Sequence, residues 1–304
     1  MKYKVLVTGS RGFVGTETVK LLLEMGIDVV DYDLMKGKDI RDAVQLEQVA
    51  TQTGVNRILH LAAIARFAEA DKNPMLAHDI NVLGTRNVSM VAGKLHIPVV
   101  YASTGSVYMP IKQQPPITEE FEACGNSVYG CTKLLGEKYI QMFASPHIIL
   151  RYAHLYGKEK RMHGLIGGFL ERIERGLAPT LYGGKQSNDF TNVRDVAEAN
   201  WLALTSPWDK WNDVYNIGTG EELTTEAAGQ IVCEISGYKG KIEKKEMRTV
   251  DPERFVYDCT KAERMLGFKA EYSFKDGLLD MFKEERNVGI EDLASPEVSL
   301  HSKL

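Results

Sequence analysis

The sequence of 304 residues contains no run of about 20 apolar residues, the length that a membrane-spanning helix requires. Helical membrane spans are not expected. It has no basic excess either: 37 Lys and Arg stand against 41 Asp and Glu, for a formal charge of -4. No broad cationic surface exists to hold a phosphate polymer, so nucleic acid is not an expected partner and any phosphate site has to be local. Cysteine is scarce, with Cys124, Cys131, Cys233 and Cys259 and no CxxC pair. That is too sparse for a disulfide scaffold and gives no readable zinc site, so no metal is expected and a reducing compartment is. The apolar run from Val5 to Thr8 is too short for the core of a secretion signal, which makes the cytoplasm the expected location. The terminal Ser302-Lys303-Leu304 is the peroxisomal address where a eukaryotic receptor reads it, and it carries no meaning in a bacterium or archaeon. Internal repeats and low-complexity segments are also missing. What remains, at 44% hydrophobic and 26% charged residues, is an ordinary globular composition of about two domains' length.

Within that length the chain alternates. Short β-branched runs at Lys4 to Thr8, Asp28 to Asp33, Arg57 to Leu61, Val99 to Ala102 and Ile148 to Tyr152 read as strands. Amphipathic stretches at Gly12 to Met25, Asp42 to Gln52, Met75 to Lys94 and Val128 to Phe143 read as helices. Buried parallel strands appear as continuous Val/Ile/Leu runs, and parallel neighbours need helical crossovers. The predicted fold is therefore α/β, a doubly wound parallel (Rossmann) sheet followed by a smaller mixed α/β substrate lobe. The predicted division is a dinucleotide-binding domain over 1–152, with a returning segment at about 189–217. A substrate-binding lobe follows over 153–188 and 218–290, with helices at Gly167 to Arg175 and Phe274 to Arg286, and then a loose tail over 291–304.

Gly9, Gly12 and Gly15 are spaced GxxGxxG between the first strand and the first helix. Gly9 permits the tight turn, Gly12 lets backbone approach a pyrophosphate, and Gly15 lets helix and sheet pack closely, while the helix N-terminus offers free N-H groups. Asp33 closes the second strand near the spacing of about 20 residues expected of a carboxylate that bonds the adenosine ribose. Asp31 takes that role if the strand ends early. A 2'-phosphate would be repelled there, which favours NAD, although Lys36 and Lys38 keep NADP open.

Tyr129 and Lys133 lie at i and i+4 on a predicted helix and so share one face. Lowering a phenol pKa from about 10 by three units takes about 4 kcal/mol. An ammonium about 5 Å away supplies about 3 kcal/mol at an effective dielectric near 20, and a nicotinamide cation the remainder. Tyr129 is then an acid or base toward an alcohol. The buried strand Val99 to Ala102 runs into the hydroxyl residues Ser103, Thr104 and Ser106, at the carboxyl edge where open α/β sheets place their sites. Thr104 is the expected orienting hydroxyl.

Taken together, Thr8-Gly9-x-x-Gly12-x-x-Gly15, Asp39-Ile40-Arg41-Asp42, His60-Leu61-Ala62-Ala63, Asn81-Val82-x-Gly84-Thr85, the Ser103 to Tyr108 strand end, Tyr129-x-x-x-Lys133 and Arg151-Tyr152 resemble the extended short-chain dehydrogenase/reductase family. Within it they are similar to the NAD-dependent nucleotide-sugar epimerase/dehydratase branch, UDP-glucose 4-epimerase-like, over about residues 3 to 285. The resemblance implies bound NAD, with Gly9, Arg11, Gly12, Phe13, Val14 and Gly15 at the pyrophosphate and Asp33, Asp39 and Ile40 at the adenosine. It places Leu61, Ala62 and Ala63 along the cofactor, Asn81 in support, and Thr104, Tyr129 and Lys133 as the catalytic triad. It also implies a homodimer through the helices around 75–94 and 128–143. Dehydratases and decarboxylases of the branch carry a carboxylate after the hydroxyl, where this chain has Gly105 and Ser106. Epimerisation of a nucleotide-activated sugar at C4 is therefore expected, with a reductase or dehydratase of a keto sugar, or a non-catalytic dinucleotide sensor, as alternatives.

The second lobe departs from the family pattern. His154 stands where an Asn is common, and Asn188 where an Arg usually clamps the diphosphate, a loss of charge that Arg254 or Lys185 is placed to offset. Arg248 and Asp251 match the family's late phosphate- and ribose-contacting pair, and Phe255 stands at the position that gates sugar size. With Ser103, Thr104 and Ser106, these residues make up the expected substrate site.

Overall fold

In the computed structural model, which describes residues 2–111, 113–158, 164–247 and 252–293, the first half of the chain is a run of strands and crossover helices. β1 (Lys4–Thr8) leads into α1 (Phe13–Glu24), β2 (Asp28–Tyr32) into α2 (Ala43–Thr53), and β3 (Arg57–His60) into α3 (Phe67–Lys72), α4 (Pro74–His78) and α5 (Thr85–Leu95). β4 (Val99–Thr104), α6 (Val128–Phe143) and β5 (His147–Tyr152) follow. The predicted strands and helices stand with small shifts at their ends, and with one exception. Met75 to Lys94 reads as a single helix, but Asp79–Gly84, between α4 and α5, is a π turn. Such a turn adds a residue to the helix and re-aims the side chains that follow it. It carries Asn81, which is fully buried.

Beyond β5 come β6 (His154–Tyr156), α7 (Gly164–Glu174), β7 (Thr180–Tyr182), β8 (Ser187–Asn188) and β9 (Phe190–Asn192), before α8 (Val193–Thr205) and β10 (Asp213–Ile217) return to the main sheet. The order of that sheet is β2-β1-β3-β4-β5-β10, with every pair parallel. Successive residues of a strand face opposite sides, so β1 divides its apolar run between two cores. Val5 and Val7 pack with Val100, Leu150 and Val196 and Ala199 of α8, and Leu6 packs on the other face with Ile58, Tyr101, Leu46 and Ile140. The connection from β1 runs outward to β2, and the next one returns past β1 to β3 on its other side. The crevice between the carboxyl ends of β1 and β3 is the switch point where open α/β sheets bind ligands.

The remaining elements are β11 (Leu223–Thr224), α9 (Thr225–Ser236), β12 (Glu243–Lys245), α10 (Thr260–Leu266) and α11 (Phe274–Leu293). β6 pairs with β9, β7 with β12 and β8 with β11, making three short ribbons rather than a second sheet. A third core joins them, with Phe169 and Leu170 of α7, Val232 of α9, and Phe274 and Leu278 of α11. α11 continues past Arg286 to Leu293, so residues 291–293 are helical rather than part of a loose tail; no proline intervenes before Pro296. Residues 294–304, with the terminal Ser302-Lys303-Leu304, lie outside the described residues. Among the described residues no helix is long and apolar enough to cross a membrane.

Candidate active site

The glycine turn is built for close approach. Gly9 has φ +68°, the left-handed region that favours glycine, and a Cβ there would stand 2.7 Å from the amide nitrogen of Ala62. The loops after β1 and β3 therefore touch at the switch point. A Cβ on Gly15 would lie 2.1 Å from the Gly9 carbonyl oxygen, so α1 seats against the turn only as glycine. Gly12 precedes α1 with no side-chain cap and no acid in the first turn, so among the described residues no side chain competes for the amides at Phe13, Val14 and Gly15. Unsatisfied amides at a helix N-terminus suit an anion. Gly15→Ala is expected to weaken NAD binding about ten- to a hundredfold in calorimetric titration, the cost of misplacing a positioned group by about 1 Å.

At the end of β2 the buried Asp33 accepts hydrogen bonds from the amides of Arg11 (3.0 Å) and Met35 (2.9 Å). The Arg11 guanidinium turns instead to Asp31, at 3.1 and 2.8 Å, and the Ser10 hydroxyl and Arg11 together hold that carboxyl below its usual range against the opposing effect of burial. Lys38 Nζ donates to the Asp31 carbonyl at 2.8 Å, which occupies one of the two lysines that kept NADP open. Asp39 is bound by Arg41, which lowers its pKa, and Ile40 is buried under Gly84, where a Cβ would come 2.5 Å from Ile40 Cδ1. After β3, the Thr8 hydroxyl accepts from the amides of Leu61 and Ala62, each at 3.2 Å, and fixes the start of the Leu61-Ala62-Ala63 segment. Asn81 closes that segment: its side chain accepts from the Ile64 amide (2.8 Å) and donates to the Ile64 carbonyl and to Thr132 Oγ1 (both 3.0 Å). The π turn thereby ties the loop after β3 to α6.

Tyr129 and Lys133 share the buried face of α6, and Thr104 ends β4 beside them, with its hydroxyl in hydrogen-bonding reach of the Tyr129 phenol. Thr104 Oγ1 also accepts from the Ser106 amide and donates to Ser106 Oγ, both at 3.2 Å. Ser103 is set apart, because strand alternation turns its hydroxyl to the other side, where it donates to Glu137. The expected depression of the phenol by Lys133 has burial working against it. Burial raises Tyr129 to about 12, with only Thr104 offsetting it, and lowers Lys133 to about 7, with Glu137 offsetting that. Desolvation penalises the charged form of both groups, and the two-charge arithmetic in an intermediate dielectric leaves that cost out.

The wall against Gly105, next to Thr104 in the chain, is aromatic. Phe255 is 1% exposed and meets His154 edge-on at 5.0 Å and Tyr257 at 5.1 Å. A Cβ on Gly105 would lie 2.3 Å from Phe255 Cζ and 2.7 Å from the Tyr257 hydroxyl. The position that carries an acid in dehydratases is thus filled from across the cleft, and Phe255 is a packed wall rather than an exposed gate. His154 remains open to solvent, with its ring against those of Phe190 and Phe255. Asn188 is half-buried on β8 opposite Leu223, and Lys185 is exposed. Arg254 is paired through two 2.7 Å hydrogen bonds with Glu222, so its charge is shared before any diphosphate arrives. Arg248 and Asp251 lie outside the described residues.

Three groups that support the site are given no role by the sequence motifs. Glu137 accepts from Arg151 Nε (2.9 Å) and Nη2 (2.7 Å) in an ion pair closed to solvent, and Arg151 Nη1 donates to the Tyr108 hydroxyl at 2.8 Å. His60, fully buried, joins the hydroxyls of Thr8 (2.7 Å) and Thr85 (2.9 Å), and burial lowers it to about 3. Asp189, also fully buried, accepts from Thr219 and Gly220 and fixes the loop after β10 against the Phe255 wall. The readable signals were the motif positions of His60 and Arg151 and an acid, Glu137, one turn beyond Lys133 on the same helix face.

The sequence profile described as "NAD dependent epimerase/dehydratase family" matches residues 5–218. A putative UDP-glucose 4-epimerase of Methanocaldococcus jannaschii is 33% identical, with 90% of this chain and 95% of that protein covered. Among solved structures, the UDP-glucose 4-epimerase of Thermotoga maritima with UDP-glucose is similar at a TM-score of 0.86 and 28% identity, covering 94% of this chain and 99% of that one. The Thermus thermophilus UDP-glucose 4-epimerase in complex with NAD has a TM-score of 0.82 at 29% identity, covering 93% and 99%.

Proposed function

The chain belongs to the NAD dependent epimerase/dehydratase family, and from that premise we propose that it is an NAD-dependent epimerase of a nucleotide-activated sugar, inverting C4 through a transient 4-keto sugar. The observation that carries the choice within the family is the Phe255 ring against Gly105. It leaves no room for the carboxylate that elimination needs.

The glycine cradle fits a dinucleotide, because side chains at Gly9 or Gly15 would fill it and no side chain among the described residues caps α1. Asp33 is the acid at the ribose, with Asp39 and Ile40 at the adenine and Leu61, Ala62 and Ala63 along its length. Bound NAD supplies the acceptor, and then the donor, of the hydride at C4. Tyr129 takes the C4 hydroxyl proton and later returns it, Thr104 orients that oxygen, and Lys133 contributes the positive charge that the buried phenolate requires. His154, Ser106, Asn188 and the Phe255 wall border the sugar, while Arg248 and Asp251 are assigned to the nucleotide on the family pattern alone. Residues 1–152 with 189–217 form the cofactor half, and 153–188 with 218–290 the substrate half.

The named relatives make UDP-glucose the substrate to try. Purified protein, given UDP-glucose and no added NAD, is expected to form the C4 epimer by NMR and to release stoichiometric NAD on denaturation. Protein that arrives empty and consumes NAD(P)H with a keto sugar would be a reductase instead. The adjacent helices α5 and α6 leave Met90, Leu135 and Met142 exposed, which supports a homodimer through that face; sedimentation tests it. Four free cysteines, with Cys131 exposed, suit the reducing cytoplasm.

A further inference from the structure

Lys133 reaches its place inside the protein almost without polar help. Its side chain is 2% exposed, and Nζ lies 4.2 Å from the centroid of the Tyr101 ring. An ammonium over the negative face of an aromatic ring is attracted by it, and more strongly where water is excluded. Tyr101 is itself held on several sides. Its hydroxyl donates to the Lys133 carbonyl at 3.4 Å and lies in hydrogen-bonding reach of Thr85, while the His60 ring stands against it at 5.4 Å. α6 also gives way for it: a Cβ on Gly136 would stand 2.3 Å from the Tyr101 hydroxyl oxygen. A glycine inside a helix costs about 1 kcal/mol against alanine, and here it leaves the space that the ring occupies.

We propose that Tyr101 is a positioning residue whose ring face seats the Lys133 ammonium beneath Tyr129. The proposal rests on the reading of Lys133 as the charged partner of the Tyr129 phenol. The other groups facing Lys133 are few. Tyr129 and Glu137 lie on its own helix, with Glu137 shared with Arg151 of β5, and His60 approaches from β3. His60 is kept neutral by burial, so it supports the ring without adding a competing cation. Burial works against the lysine charge, Glu137 opposes that, and the ring adds a contact that favours only the protonated form.

Titration of Lys133 by ¹³C NMR at Cε, assigned by its loss in Lys133→Arg, reads this directly. Tyr101→Phe keeps the ring and is expected to leave the midpoint in place. Tyr101→Leu is expected to lower it by about one pH unit, a tenfold fall in the ammonium-to-amine ratio. A folded Tyr101→Leu protein with an unmoved midpoint would overturn the proposal, as would Phe behaving like Leu, which would assign the effect to the phenol's hydrogen bonds. If Leu does not fold, a series of phenylalanines with one, two and three ring fluorines at position 101 keeps the shape and weakens the ring's negative face. The midpoint is expected to fall stepwise along that series, and a flat series overturns the seat. The alkaline limb of kcat should move with the NMR midpoint. A midpoint that moves in a protein without epimerase activity leaves the seat standing and removes the functional reading instead.

Discussion

Tyr129→Phe is expected to lower kcat about 10²- to 10⁴-fold, the usual contribution of a positioned acid or base, with the Michaelis constant for UDP-glucose and the bound NAD little changed. The substitution deletes one oxygen. The ring's edge contact with Phe67, at 5.4 Å between centroids, survives, and so does its apolar environment beside Ala70 and Ala77. Thr104 is not orphaned, because its hydroxyl keeps Ser106 as donor and acceptor partner. The loss therefore falls on an interaction made in the transition state, which lowers kcat and kcat/KM together. Single-turnover measurement of C4 inversion on the NAD-loaded protein checks it. Turnover within threefold of the parent would move the proton chemistry to another group and remove the role given to Tyr129.

The parts of this site that were legible in the sequence are those whose physical cause is local. Gly9 and Gly15 were readable because a left-handed turn and a helix seated on it both demand glycine, and both demands arise within a few residues. That Tyr129 and Lys133 share a helix face was readable from periodicity, and their role from the hydroxyl-ended strand and the family pattern around them. Asn81 was readable as a motif but not as a geometry, since nothing in the sequence of Met75 to Lys94 marked the π turn that carries it. Ser103 was grouped with Thr104 because the strand was expected to end at Ala102. Once β4 runs to Thr104, alternation separates the two hydroxyls. The filling of Gly105 by Phe255, the pairing of Arg254 with Glu222 and the seating of Tyr101 on α6 depend on segments that meet only in the folded chain, and no local pattern reports them. The pKa balance was half readable for the same reason. Charge spacing is written in the sequence, whereas burial of both partners is a property of the whole sheet edge.

Glu137→Leu is expected to cost about 3 to 5 kcal/mol of stability, and Arg151→Met less, although each breaks the same pair. Both partners are closed to water, with side chains 1% and 8% exposed. Removing Glu137 strands a guanidinium that cannot shed its proton and keeps only the Tyr108 hydroxyl as partner. Removing Arg151 strands a carboxyl, which escapes by taking up a proton. In Arg151→Met the folded pKa of Glu137 is therefore raised above its unfolded value of about 4.3. A group with a raised folded pKa stabilises below the unfolded value and loses that contribution as pH rises through the folded one. The Arg151→Met deficit should accordingly be small at pH 5 and larger at pH 8, whereas the Glu137→Leu deficit should be larger at pH 5 and shrink toward pH 8, because it also removes the carboxylate that supports the Lys133 charge. The double variant recovers part of the loss, since an apolar pair replaces the ions, and the Ser103 hydroxyl left without Glu137 accounts for a residue of about 1 kcal/mol. Urea denaturation of the four proteins at both pH values measures the cycle. Equal deficits for the two single variants at pH 5 would show that the asymmetry between a fixed and a removable charge does not govern this pair.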